Sequence, residues 1–243
     1  MKKGETYFER LMFSLTIIFK MILPPFYSLK RLEGSCRSWL NKNPNAYTPR
    51  EFMADLYRFY KKNEEAKEQY LEIRRLGYMT ERDQLNFTEV LFRLQDYRGI
   101  IETLLPIINK YPLHADANFH LGISLMKLGD YDKASRFLQK VILAGRKRFE
   151  DYWWLGYCFD QLGDLENAEE VYRKALQLNP HAPDLKQNIV SIYIRKAKKL
   201  LDTDLEAAKE EVRKALEVSP ANPQAAEFLD NLTKLQLLDH KTN

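Results

Sequence analysis

The chain has 243 residues, 45% of them apolar and 12% aromatic, with a formal net charge of only +4. That is enough apolar material for a substantial core, which excludes wholesale disorder. The 9 glycines and 10 prolines are too few for an all-β fold with many tight turns, and two cysteines give no disulfide framework.

The small charge is unevenly spread. Residues 1–62 hold twelve Lys/Arg against five Asp/Glu, while the rest holds 26 basic and 29 acidic residues. A basic front on a slightly acidic body predicts that the front faces something anionic, such as a membrane surface. Residues 1–30 form an apolar N-terminal segment around "LMFSLTIIFKMILPPFYSL". Its run from Leu11 to Leu23 is 13 residues, roughly 20 Å as a helix. A bilayer-spanning helix needs ~20 apolar residues, so this run is too short to cross. On a helical projection Glu9, Thr16 and Lys20 share one narrow stripe, and Leu11, Leu15, Ile18 and Ile22 lie opposite.

The pattern predicts an interfacial helix. Leu11, Phe13, Leu15, Ile18, Phe19 and Ile22 would meet the apolar layer, with Lys30 and Arg31 at the headgroups. The competing reading is a degenerate leading hairpin that packs on protein. Its second helix, within 31–46, would carry Leu32, Cys36, Trp39 and Leu40 on one face. No small-residue cleavage site follows the apolar run, which argues against a signal peptide.

From Tyr47 onward the chain repeats itself at a spacing of 34. "YWWLGYCFDQLGDLENAEEVYRKALQLNP" (152–180) aligns with "NFHLGISLMKLGDYDKASRFLQKVI" one period earlier. Gly156 falls on Gly122, Gly163-Asp164 on Gly129-Asp130, and Ala168 on Ala134. "QLNFTEVLFRLQDYRGIIETLLPIINKYP" and "REFMADLYRFYKKNEEAKEQYLEIRRLG" continue the register backward. Five repeats follow: 47–80, 81–114, 115–148, 149–182 and 183–220. The last needs six extra residues in its first helix, since Pro180 to Pro220 is 40 rather than 34. Small residues at Ala54, Gly122 and Gly156, and at Ala66, Ala134, Ala168 and Ala208, predict close helix packing. Large ones at Met53, Phe87, Leu121, Leu155 and Ile189 predict the core between hairpins. Pro106 lies inside a second helix and is expected to kink it. Residues 221–243 read as a capping helix, with Phe228, Leu229, Leu232 and Leu235 apolar, and a tail.

This pattern resembles the tetratricopeptide repeat family over Tyr47 to about Pro220. The resemblance is strongest in "HLGISLMKLGDYDKA" and "WLGYCFDQLGDLENAEEVYRKALQLNP". It implies an all-α fold, a right-handed superhelix of stacked helix-turn-helix hairpins whose first helices line an inner groove. Carried over by register, that groove would present Phe92, Phe119, Ile123, Met126, Trp153 and Tyr157, with Glu89 and Asp160 among its acids. Asp55, Asp116 and Glu150 would add further carboxylates, which could equally be a solvated face. Trp153 and Tyr157 stand four apart on one helix face. Trp154 is expected to point elsewhere, into the packing between hairpins, and both tryptophans could instead be core. Some family members bind a chaperone's terminal carboxylate through paired lysines and asparagines, but here those positions hold acids and aromatics.

Nothing in the chain supports catalysis or a cofactor. The histidines His114, His120, His181 and His240 lack metal-ligand spacing, and no phosphate loop or nucleophile elbow occurs. Cys36 and Cys158 sit in apolar helical patterns, as buried thiols do, which favours a reducing compartment. The sequence therefore predicts a non-catalytic protein–protein interaction adaptor on the cytoplasmic side of a membrane, with no metal. If the apolar segment packs on protein, a cytoplasmic location follows. The expected partner is a helical or extended segment with apolar and basic residues, and nucleic acid is disfavoured by the acidic body. The alternatives are a self-assembling scaffold, in which the N-terminal segment docks on another copy, and an accessory subunit of a membrane-bound complex.

Overall fold

The computed structural model describes residues 29–242, and every regular element among them is an α-helix. In order these are α1 (Leu29–Lys42), α2 (Tyr47–Phe59), α3 (Asn63–Arg75), α4 (Glu81–Arg93), α5 (Tyr97–Lys110) and α6 (Ala115–Lys127). Then come α7 (Tyr131–Leu143), α8 (Phe149–Gln161), α9 (Leu165–Leu178), α10 (Pro183–Leu200), α11 (Leu205–Val218) and α12 (Pro223–Thr242). They form two units divided after Pro112. In the first, α2 pairs with α3 and α4 with α5. In the second, α6 pairs with α7, α8 with α9, and α10 with α11, and α12 packs on α11. These are the stacked helical hairpins that the repeat implies.

Four of the five hairpins start their second helix by the same chemistry, and the α2–α3 turn, with Lys62 at the N-cap, has no side-chain cap. Asp96, Asp130, Asp164 and Asp204 are N-caps whose side chains accept from Gly99, Lys133, Asn167 and Ala207 backbone N–H groups. An N-cap carboxylate satisfies one of the orphan donors at a helix start. Just before the first three, the backbone enters the left-handed region at Gln95 (φ 57°), Gly129 (φ 83°) and Gly163 (φ 75°), and Lys61 does so at φ 57°. The glycines take that conformation freely, whereas Lys61 and Gln95 bear its steric cost.

Three local features meet the expectations drawn from the repeat register. α5 continues through Pro106 to Lys110, and Pro106 is exposed. Its missing N–H leaves the Glu102 carbonyl, on an exposed residue, within reach of water instead of ending the helix. α10 runs 18 residues where α2, α4, α6 and α8 each run 13. In α1, Leu32 and Cys36 are buried against the first unit, and Glu33 accepts from the Tyr57 hydroxyl at 2.7 Å. The Tyr57 bond comes first among the effects that hold the Glu33 carboxyl below its ordinary range, followed by Arg37. Cys36 and Cys158 are both buried and outside any disulfide, and burial pushes Cys158 up to about 12, so it is not a ready nucleophile.

Candidate functional site

α8 presents the densest aromatic surface in the second unit. Its inward face is Asp151, Leu155, Gly156 and Cys158, all buried. The next face carries Trp153, Trp154 and Tyr157, all half-buried. Phe149 stacks on Trp153 at 5.8 Å, and Trp153 stacks on Trp154 at 4.9 Å with planes 22° apart. Trp154 meets Tyr157 edge-on at 6.2 Å, and Tyr157 meets Tyr131 of α7 at 6.2 Å. Burial, with the Tyr131 hydroxyl beside it, holds the Tyr157 phenol above its ordinary value.

Trp153 and Tyr157 pack against the core formed by α9 to α12, whereas Trp154 lies outside that packing, on the Trp153 ring. The Trp153 Nε1–H has no acceptor in the folded chain. The two tryptophans therefore do not diverge. Trp154 belongs to the same row as Trp153, because the 100° step between them is offset by the reach of two large indoles. Sequence register missed it, and the signal that could have found it was the uninterrupted aromatic run Tyr152-Trp153-Trp154.

The other predicted groove residues fare differently. Ile123 and Met126 are each only 5% exposed, so they are hairpin core and offer a partner almost no surface. Phe119 is half-buried and lies beneath the Arg146 guanidinium, 4.3 Å from its ring centre. In the first unit, Phe92 is exposed and edge-on to Tyr97 at 5.9 Å.

The acids are already engaged by the chain itself. Glu89 accepts from Arg58 at 2.6 Å and Arg93 at 2.5 Å, and Asp55 from the Tyr70 hydroxyl at 2.9 Å and Asn86 at 3.1 Å. Asp116 pairs with Arg146 at 2.6 Å, and Asp160 pairs with Arg195. Only Glu150 of this set is exposed with no such bond shown. An acidic lining waiting for a basic partner is thus corrected to a lining neutralised internally at every one of these acids except Glu150. A similar closed network holds α9 to α10, where Glu169 accepts from Lys196 and Tyr193, each at 2.6 Å, and from Arg173 at 3.1 Å. Burial opposes the Glu169 charge, but these donors outweigh it and hold the carboxyl below its ordinary value.

The predicted membrane contacts Leu11, Phe13, Leu15, Ile18, Phe19 and Ile22 lie outside the described residues. Lys30 and Arg31 sit exposed at the start of α1. Among the described residues no helix is long and apolar enough to cross a membrane, and no group of three or more His, Cys, Asp or Glu could hold a metal ion.

Comparison with known proteins agrees with this architecture. Residues 89–151 and 121–183 match the family model described as tetratricopeptide repeat. A stretch of 72 residues, 30% of the chain, is 29% identical to the Sol locus transcriptional repressor of Clostridium acetobutylicum, and it spans only 23% of that protein. Among solved structures, YrrB, described as a TPR protein with an unusual peptide-binding site, superposes with a TM-score of 0.61 at 19% identity. The match covers 79% of this chain and 96% of YrrB. MamA (residue 41 to its end) from Desulfovibrio magneticus gives 0.58 at 22% identity, covering 73% and 97%. A tetratricopeptide repeat protein from Parabacteroides merdae gives 0.60 at 16%, covering 93% and 98%. Likeness at these identities speaks to the fold alone.

Proposed function

We propose, from the premise that residues 89–183 are tetratricopeptide repeats, that the chain is a non-catalytic adaptor that captures a partner protein's segment on the aromatic row of α8. Proteins built on this repeat generally serve protein–protein interaction. The observation that carries the reading is the continuity of half-exposed rings from Phe149 through Trp153 and Trp154 to Tyr157. Rings already stacked by the fold lose little freedom on binding. Tryptophan and tyrosine are also the side chains that most often dominate interface energies. Because Asp116 and Asp160 are paired within the chain, leaving Glu150 the one unpaired acid of that set, the partner segment is recognised chiefly through apolar anchors. Basic residues in it contribute less.

The test uses peptides selected from a random library on the wild-type protein. Trp153→Ala and Trp154→Ala are expected to weaken the selected peptides by about 2 kcal/mol. If both variants bind them as wild type does while only melting earlier, the row is core and the assignment fails.

The same reading places the N-terminal apolar segment at a membrane surface, on the cytoplasmic side, supported by its short amphipathic run and the cations that follow. The full-length chain should pellet with membranes and resist an alkaline wash, whereas a chain starting at Leu29, which keeps α1 on α2, should stay in the supernatant. If the two fractionate alike, the segment packs on protein.

A further inference from the structure

A pocket of about 600 Å³ opens in the first unit between α1, α2 and α3, lined by Arg37, Leu40, Pro44, Arg50, Met53 and Gln69 among others. It lies away from the expected groove. At about 100° per residue, Met53 stands roughly 140–160° around α2 from Glu51, Asp55 and Arg58, and Arg50 about 80–140° from them. Its chemistry is unbalanced in an informative way. The Arg50 side chain is only 16% exposed, yet no carboxylate holds it closely. Its Nη2 donates to the Pro44 carbonyl at 2.6 Å. The nearest acid, Glu72, is 3.7 Å away and is already gripped by two bonds from Arg75, at 2.8 and 2.6 Å. Arg50 Nε and Gln69 Oε1 are buried without a hydrogen-bond partner. Burial, with Arg75 nearby, pushes the Arg50 guanidinium below its ordinary pKa despite Glu72, as expected of a desolvated cation short of counter-charge.

We propose that this pocket binds a glutamate side chain of a partner protein, its carboxylate on the Arg50 guanidinium and its two methylenes against Leu40 and Met53. A desolvated guanidinium without a close anion is costly, and a planar carboxylate matches its fork. The local charge sets the valence of the ligand. Arg37, Arg50 and Arg75 stand against Glu33 and Glu72, which leaves one uncompensated positive charge. A singly charged carboxylate balances it, whereas a phosphate dianion would also face the two resident glutamates. Gln69 Oε1 offers an acceptor for a backbone N–H of the same ligand, which favours a peptide over a free acid.

The experiment follows the Arg50 Nε–H resonance of the full chain by NMR. The titrants are the capped tripeptide Ac-Ala-Glu-Ala-NH2, its neutral twin Ac-Ala-Gln-Ala-NH2, propionate and inorganic phosphate. The expected result is a saturable shift with the glutamate peptide, and binding at least ~tenfold weaker for the other three. Leu40→Glu, which places a resident carboxylate at the pocket and leaves Arg50 in place, should abolish the shift at unchanged helical content. Arg50→Gln, followed instead on the Gln69 side-chain amide resonances, should remove binding as well. Equal binding of the glutamine peptide overturns the carboxylate assignment, and equal binding of phosphate overturns the charge argument. Propionate binding as tightly as the tripeptide overturns the peptide assignment, and absence of any saturable shift overturns the site.

Discussion

Replacing Asp151 by Ala is expected to lower the stability of the second unit by about 3 kcal/mol. The carboxylate is fully buried near the start of α8, where it accepts from the Arg148 backbone N–H at 3.0 Å. It also accepts from Arg146 Nη2 at 2.6 Å and from Arg146 Nε at 3.1 Å. Arg146 is itself 13% exposed, reaches Asp116 of α6 at 2.6 Å and lies over the Phe119 ring. This one guanidinium therefore fastens the start of α8 to the start of α6.

Removing Asp151 takes away a helix-start acceptor and leaves a largely buried cation with only a solvent-facing acid. Breaking a buried pair from one side costs more than the pair contributes, because the remaining charge stays desolvated. Asp151→Asn keeps acceptor geometry and should lose about half as much. Urea unfolding checks this, followed both by far-UV circular dichroism and by the fluorescence of Trp153 and Trp154 on the same helix. A loss below about 1 kcal/mol, the scale of an exposed pair, would show that the cluster is ornamental.

Gly156→Val should cost about as much, ~3 kcal/mol, by overpacking. A Cβ at Gly156 would stand 2.5 and 2.6 Å from two ring carbons of Tyr172 on α9. That ring is fully buried, in the same apolar core as Ala168, Ala175, Ile189 and Val190, so it has little room to retreat. The glycine is there for its lack of a side chain rather than for any unusual backbone angle. Gly122 shows the same device against Leu138, whose Cγ would lie 2.7 Å from an added Cβ. A contrasting substitution separates packing from propensity. Nothing lies within 4 Å of a Cβ at Gly34 in α1, so Gly34→Ala should gain roughly 0.5–1 kcal/mol from helix propensity alone. If Gly156→Val melts like wild type, the close approach of α8 and α9 is not what the small residue secures.

These two sites also mark what could and could not be read from the chain. The small residues at Gly122 and Gly156 were legible as a 34-residue register, and so were the hairpins, because packing within a hairpin repeats. Asp130 and Asp164 fell into the same register, since the cap each provides is a local device that repeats with its hairpin. The charge pairing was not legible, because it joins neighbouring hairpins. Arg58 reaches Glu89, Arg82 reaches Glu51, Arg146 reaches Asp116 and Arg195 reaches Asp160 across 30 to 35 residues. Each partner is about one period away, so an acid placed by register alone looks free when an arginine of a neighbouring hairpin already holds it. Ile123 and Met126 misled for a related reason. Register places a side chain on a helix face, but the size of its neighbours decides how much of that face reaches solvent.

The pairing of each helix with its neighbours in sequence also bears on how the protein comes to be folded. Within each unit the substantial contacts join helices one or two places apart in the chain. Among the described residues no strand has to find a distant partner, and the loop that must close before a contact forms is short, so its entropy is small. Any one hairpin can nucleate, and its neighbours can then add as a zipper closes, each new pair gaining the interface that the last one left open. The same geometry works in reverse. A lesion such as Asp151→Ala need not unravel the chain at once, and it should first appear as faster amide exchange in α8 and the helices beside it.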